Sequence, residues 1–238
     1  MTNTDERLSL VLLSGLLCDK YVWEKVGELL SDIAAVSIFS FAGLNSLTAM
    51  AEKVLAESPD TFSLAGHSMG GRVAFEVYRQ APQRVERLAL LNTGAHPRNE
   101  AEVPGRQRLL DLSINEGMSA VADTWLPPMM SEKARQDKVL MAALTRMILG
   151  HSPEDFAGQI HALLNRPDAK TMLPLIRVPT MLLSGSEDQW SPVSQHREIQ
   201  AMIPGSELVS LEGVGHMSTV EAPESVAEAM RNWLTQSK

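Results

Sequence analysis

One stretch of the chain decides its fold: Thr61 to Phe75, with the sequence TFSLAGHSMGGRVAF. An apolar run typical of a buried strand leads into Gly66-His67-Ser68-Met69-Gly70, and apolar residues then recur at helical spacing from Arg72 to Gln80. The pattern G-x-S-x-G between a strand and a helix predicts a sharp turn that strains the backbone of Ser68. We therefore expect the hydroxyl of Ser68 at the carboxyl edge of a sheet, beside the free N–H groups of a helix.

A simpler interpretation is that Gly66 and Gly70 permit close packing and that Ser68 only caps a helix. The strand before the motif and the helix after it favour a nucleophilic serine. The residues from Gly66 to Gly71 resemble the nucleophile elbow of the α/β-hydrolase superfamily. This resemblance implies an α/β fold with a mostly parallel sheet, and a serine hydrolase that needs no cofactor and no metal.

Length, composition and charge limit the class of protein. The 238 residues suit one α/β domain with an insertion, and a net charge of -8 without a basic block argues against nucleic acid or membrane partners. The single cysteine, Cys18, excludes an internal disulfide and has no ligand partners for zinc. The acidic segment Met1–Arg7 lacks the basic start of a signal peptide, and no apolar run could span a membrane, so we expect a cytoplasmic protein.

Apolar runs alternate with helical segments along the chain, which predicts a parallel sheet with ligands at the carboxyl ends of its strands. The usual N-terminal β-hairpin of the family has no room, because the first strand already begins at Leu8. We therefore expect a shortened sheet of about six strands, counted from the apolar runs. These are Leu8–Leu13, Ala35–Ser40, Phe62–Ala65, Val85–Thr93, Val178–Ser184 and Ser206–Leu211.

The strand pattern stops between Thr93 and Val178, where the periodicity predicts only helices. Four helices are predicted, and the last two are expected to be capped by Ser131 and Ser152. The four helices are Gln107–Asn115, Met118–Leu126, Glu132–Leu149 and Pro153–Asn165. An all-helical insertion at this point resembles the cap of many α/β-hydrolases. We assign residues 1–95 and 174–238 to the hydrolase core and residues 96–173 to the helical cap.

His216 is the predicted catalytic base. A serine hydroxyl needs a base and an acid that orients it, and in this fold they follow in the order Ser, acid, His. His216 lies in a glycine-flanked loop between the last strand and the final helix. His67 is expected to point away from the neighbouring hydroxyl, and His96 is the reserve candidate.

Asp188 is the predicted acid, because it follows a strand edge in a loop that resembles the G-x-x-D loop of the family. Glu187 is the rival and is expected to face solvent. Some relatives carry the acid after the preceding strand, but Asn92 occupies that place here, which favours Asp188.

An oxyanion hole requires preorganised N–H donors. One is expected from the backbone of Met69, directly after the nucleophile. The other is expected from the loop after the first strand, where relatives usually read His-Gly-x and this chain reads Ser14-Gly15-Leu16. Since the donor is a backbone group, Leu16 is the second candidate.

Apolar residues of the insertion indicate the class of substrate. Prolines interrupt the helical pattern after Trp125, so that Trp125, Met129 and Met130 are expected to line the roof of a pocket. Trp190, just after the predicted acid, is expected to face the same site. The leading prediction is a carboxylesterase for a small-molecule substrate, a small or medium ester with an apolar acyl group, that works through an acyl-enzyme intermediate.

Two other functions remain open. The first is a lyase or C–C hydrolase that uses the triad as a base, because Gly70-Gly71-Arg72 resembles the elbow of the menaquinone-pathway synthase. Against it, Arg72 is expected on a helix surface, and the insertion offers no arginine cluster beyond Arg106, Arg108 and Arg146. The second is a noncatalytic small-molecule receptor that retains the whole triad. The oligomeric state is left open.

Overall fold

The computed structural model describes residues 7–236 of the chain. Met1 to Glu6, on which most of the signal-peptide expectation depends, lie outside the described residues. Across residues 7–236, no helix is both long and apolar enough to cross a membrane. The strands are β1 (Leu8–Leu13), β2 (Ala34–Phe39), β3 (Phe62–His67), β4 (Val85–Leu91), β5 (Thr180–Gly185) and β6 (Glu207–Leu211). The helices are α1 (Tyr21–Leu30), α2 (Leu47–Glu57), α3 (Met69–Gln80), α4 (Val103–Asn115), α5 (Gly117–Trp125), α6 (Lys138–Leu149), α7 (Pro153–Leu164), α8 (Val193–Met202), α9 (Ser218–Glu221) and α10 (Pro223–Thr235).

The strands form one parallel sheet in the order β2-β1-β3-β4-β5-β6. This confirms the predicted α/β-hydrolase fold with its shortened, six-stranded sheet. The chain runs from β1 to β2 on one side and then to β3 on the other, so the strand order reverses at β1. Ligands of open parallel sheets bind at the carboxyl ends of the strands beside such a reversal.

Helices cover the sheet, and two of its inner strands, β3 and β5, are buried along their whole length. Every residue of β3 and β5 is buried, which explains why both read as continuous apolar runs rather than alternating ones. α1 packs against α10, and α2 packs against α3. The indole N–H of Trp23 in α1 donates to the carbonyl of Leu13 (3.1 Å), which holds the carboxyl end of β1 in place.

The chain between β4 and β5 contains α4 to α7 and several short 3-10 turns, and we call it the helical insertion. One of its predicted helices, Glu132–Leu149, is wrong at its start: a turn at Ala134–Gln136 is followed by α6 from Lys138. The reason is local, because Asp137 accepts hydrogen bonds from two N–H groups of the first turn of α6 and is therefore the cap. Ser131 caps only the short turn, through the N–H of Ala134.

The helical insertion lies against the carboxyl edge of the sheet. Gln159 of α7 is buried and accepts a hydrogen bond from the N–H of Leu17, just after β1 (2.8 Å). The carbonyl of Met129 accepts another from the N–H of His216, after β6 (2.7 Å). Both bonds join the insertion to loops at the edge where a ligand is expected.

Candidate active site

Ser68 lies at a sharp turn between β3 and α3. Its backbone has φ 55° and ψ -116°, a strained conformation for a residue with a side chain. A Cβ atom on Gly66 would lie 2.3 Å from the carbonyl oxygen of Gly70, and one on Gly70 would lie 2.2 Å from that of Leu13. Both positions therefore require glycine, since the backbone approaches too closely for any side chain. The helix begins at Met69, directly after the serine, rather than at Arg72.

The structure brings Ser68, His216 and Asp188 together in one chain of hydrogen bonds. The oxygen of the Ser68 hydroxyl lies 2.9 Å from Nε2 of His216. On the other side of the ring, Nδ1 lies 2.9 and 3.1 Å from the two carboxylate oxygens of Asp188. The hydroxyl can thus donate to the imidazole, which donates its own N–H to the carboxylate.

Asp188 is buried, yet it is held as an anion. Oδ1 accepts hydrogen bonds from the N–H groups of Trp190 and Ser191, both at 2.9 Å. Burial by itself raises the pKa of Asp188, but the charge and hydrogen bond of His216 and the surrounding donors outweigh it and lower the pKa well below its usual range. The rival Glu187 is exposed and accepts from the N–H of Glu132 (2.8 Å), so it is directed away from His216.

Asn92 also holds the carboxylate, a contact that the sequence analysis did not predict. Its Nδ2 donates to Oδ2 of Asp188 (2.9 Å), and its Oδ1 accepts from the hydroxyl of Ser218 (2.5 Å). Asn92 has φ 49°, a left-handed conformation that asparagine tolerates better than most residues. Its place directly after β4, where some relatives carry the acid, is a signal that could have revealed this contact.

His67 lies beneath the site and does not contact the serine hydroxyl through a hydrogen bond. Its side chain is fully buried, and its Nε2 donates to the carbonyl of His216 (2.8 Å). Within residues 7–236, Nδ1 has no hydrogen-bond partner. Burial, assisted by the neighbouring His216, lowers the pKa of His67 to about 4, so the ring is neutral at physiological pH.

Glu221 ties the loop of His216 to the helical insertion. One carboxylate oxygen accepts from the N–H groups of Gly215 (3.0 Å) and Ser131 (3.1 Å), and the other accepts from that of Met217 (3.2 Å). Together with the bond from the N–H of His216 to Met129, these contacts hold the loop of His216 between α9 and the insertion. Sequence reasoning missed Glu221, and its bond to Ser131 could not be foreseen because the two residues are 90 positions apart along the chain.

Met69 and Leu16, the two predicted oxyanion donors, line the same cavity as Ser68. Met69 is the first residue of α3, so its N–H has no acceptor within the helix. The loop after β1 lies against the serine: a Cβ atom on Gly15 would be 3.3 Å from Cβ of Ser68. Leu16, the next residue, lines the same cavity as Ser68.

A cavity of about 800 Å³ opens between the sheet edge and the helical insertion, with Ser68 and His216 in its wall. Of the predicted substrate-binding residues, Trp125, Met129 and Trp190 line it. The rings of Trp125 and Trp190 meet edge to face, with centroids 5.8 Å apart. Met130 is not part of this wall: the backbone becomes extended there, and the side chain packs into the hydrophobic core.

One end of the cavity is basic. The expectation that Arg72 lies on the helix surface is wrong, because Arg72 lines the cavity with Arg106, Arg108 and His96. Arg72 donates to the carbonyl of His96 (2.9 Å) and to Nε2 of its ring (3.2 Å). Burial and the positive charge of Arg72 lower the pKa of His96 to about 4. His96, the reserve base, is therefore bonded to arginine and not to Ser68.

Within residues 7–236, no three His, Cys, Asp or Glu side chains are grouped so that they could hold a metal ion. Cys18 is buried, and burial raises the pKa of its thiol to about 12, so it is neutral at physiological pH.

Comparisons with known proteins agree with this architecture. A pimeloyl-[acyl-carrier protein] methyl ester esterase of Nitrosomonas europaea is 25% identical over 229 residues, which cover 90% of this chain and 91% of the relative. A putative 2-succinyl-6-hydroxy-2,4-cyclohexadiene-1-carboxylate synthase of Bacillus subtilis is 23% identical over 249 residues, 95% of this chain and 90% of the relative. The solved structure of a malate-bound esterase from Thermogutta terrifontis superposes with a TM-score of 0.86 at 28% identity, covering 95% and 89% of the two chains. The model of the alpha/beta hydrolase family matches residues 10–229, and the chain belongs to that family.

Proposed function

We propose that the protein is a serine esterase that cleaves small or medium carboxylic esters through an acyl-enzyme. The observation that carries the proposal is the hydrogen-bonded series from the Ser68 hydroxyl through His216 to Asp188. Membership of the alpha/beta hydrolase family and the esterase activities of two relatives support the same reaction class.

In the proposed mechanism, His216 removes the proton of Ser68 as the hydroxyl oxygen attacks the ester carbonyl. The N–H groups of Leu16 and Met69 stabilise the resulting oxyanion, and Asp188 stabilises the imidazolium. His216 then protonates the leaving alcohol. Water, activated by the same imidazole, attacks the acyl-enzyme and releases the acid.

The helical insertion is proposed to act as the cap of the site, with residues 96–173 as its extent. Trp125, Met129 and Trp190 would contact the apolar part of the substrate, because they line the cavity beside His216. Exclusion of water by these side chains would strengthen the electrostatic stabilisation of the transition state.

Covalent labelling tests the proposal directly. A fluorophosphonate probe should modify the wild-type protein at Ser68, and the protein should hydrolyse 4-nitrophenyl esters. Ser68→Ala should prevent labelling and lower kcat by about 10⁶-fold, as loss of the nucleophile does in other serine hydrolases. Unchanged thermal unfolding of the variant serves as its control.

Two outcomes would point to the alternatives. A lyase or C–C hydrolase would ignore simple esters, and this candidate is favoured by the place of Arg72 in the cavity wall and by the relative named as a synthase. A receptor would bind a small molecule without turnover. Substrate depletion assays separate these two alternatives, because only the lyase or C–C hydrolase consumes its ligand.

A further inference from the structure

The basic end of the cavity carries more positive charge than its own residues neutralise. Three guanidinium groups, of Arg72, Arg106 and Arg166, surround one carboxylate, that of Glu102. Among the described residues that line the cavity, Glu102 is the only Asp or Glu. The exposed Arg108 adds a further positive charge to the same wall.

Glu102 has no capacity left for Arg72. Its Oε1 accepts from Arg166 (2.5 Å) and from the N–H of Asn99 (2.9 Å). Its Oε2 accepts from Nε and Nη2 of Arg106 at 3.1 and 3.0 Å. Arg166 is itself buried, and its other donors are used by backbone carbonyls, so it is a structural residue.

Arg72 is the arginine of this group whose positive charge is not paired directly with Glu102. Within residues 7–236, the guanidinium of Arg72 forms hydrogen bonds to the backbone carbonyl and to the neutral ring of His96, and to no carboxylate. Burial, and next the repulsion from Arg166, lower the pKa of Arg72 to about 9, so it stays charged at neutral pH. A largely desolvated charge that is not hydrogen-bonded to a counterion is costly, and an anion in the cavity would reduce that cost.

The positive charge of Arg72 lies in the same cavity as the proposed nucleophile, Ser68. Arg72 lies in the first turn of α3, four residues after Ser68, and both residues line the cavity. The planar guanidinium matches the two oxygens of a carboxylate better than a point charge does.

From these contacts we infer that the cavity takes an ester that carries a second, free carboxylate, which pairs with Arg72 beside Arg106. The inference rests on the proposed esterase function and narrows its substrate class from apolar acyl esters to half-esters of dicarboxylic acids. The apolar wall with Trp125 and Met129 then contacts the methylene chain.

The test compares mono-4-nitrophenyl adipate with its neutral methyl-capped diester. The wild-type protein should prefer the half-ester in kcat/KM by at least tenfold. Arg72→Gln should abolish that preference mainly through KM, and Arg72→Lys should restore part of it. Arg146→Gln, which changes an exposed arginine of α6 outside the cavity, is the matched control and should retain the full preference.

A binding measurement keeps this inference separate from the esterase proposal. Titration calorimetry of the Ser68→Ala protein with monomethyl adipate should give binding that falls at least tenfold on adding Arg72→Gln, whether or not the wild-type protein turns over any ester. Equal kcat/KM for the charged and neutral esters, or no binding of monomethyl adipate, would overturn the inference. Inorganic phosphate is the other anion tested, and its binding in place of the carboxylate would also overturn it.

Discussion

The two ends of the cavity differ in how completely their charges are paired. At the serine end, Asp188 receives hydrogen bonds from His216, Asn92 and two backbone N–H groups. At the basic end, Arg72 lines the cavity, and its hydrogen bonds within residues 7–236 go to His96 and not to a carboxylate. The first arrangement needs no ligand to be complete, as preorganised catalysis requires. The second is completed by the anion that we propose as part of the substrate.

After Ser68→Ala, the largest loss of activity is expected from a change at Asp188, which would disrupt the fully paired end of the cavity. Asp188→Asn should lower kcat by about 10⁴-fold, because the amide favours the wrong tautomer of His216 and cannot stabilise the imidazolium. Steady-state ester hydrolysis measures the loss. Glu187→Gln is the matched control, one residue away and exposed, and a larger loss there than at Asp188 would refute the assignment of the acid.

Asn92→Ala should have an intermediate effect, because it removes one donor from Asp188 and leaves the others. A hydrogen bond to a charged group contributes about 1.5–3 kcal/mol, so we expect a loss of about tenfold in kcat together with lower stability. Chemical denaturation and ester kinetics on one preparation measure both. Asn92→Asp, which keeps the shape and places a second negative charge beside Asp188, should be worse than Asn92→Ala for activity. The reverse order would mean that Asn92 acts only through packing.

The smallest effect concerns pH and His67. Its folded pKa of about 4 lies below the unfolded value of 6.5, so between these pH values the unfolded chain binds a proton that the folded protein does not. Its contribution to stability is therefore fully present above pH 6.5 and falls by about 1.4 kcal/mol per pH unit as the pH falls towards 4. His67→Gln should reduce this slope by about one proton, measured by urea unfolding at several pH values. Unfolding at pH 7.5, where the ring is neutral in both states, isolates the hydrogen bond to His216. An unchanged slope would show that His67 is already charged in the fold.

The fold could be predicted from the sequence because the patterns that indicate it are local. The G-x-S-x-G motif, the apolar strand before it and the helix after it occupy one short segment, and the six strands were recognised from their own composition. Ser68, Asp188 and His216 could be proposed together because each follows a strand, and parallel strands end at one edge.

The remaining contacts depend on how distant segments approach one another. Arg72 was expected at a helix surface, since helical spacing does not tell which neighbour covers each face. In the folded protein, Arg72 lines one cavity together with residues of α4 and donates a hydrogen bond to the carbonyl of His96, so it forms part of the cavity wall. Met130 was expected beside Met129, but the extended backbone sends adjacent side chains in different directions. Asp137, not Ser131, opens α6, because the two N–H groups that follow it reach its carboxylate.

The hydrogen bond from the N–H of His216 to the carbonyl of Met129 links the loop after β6 to the part of the helical insertion that lines the cavity. If that segment swung outward here to discharge products, it would detach the imidazole from its support in the same motion. In the proposed mechanism, a protein opened on this side could not hold its base in place, so we expect substrates and products to pass by a route that leaves this attachment intact.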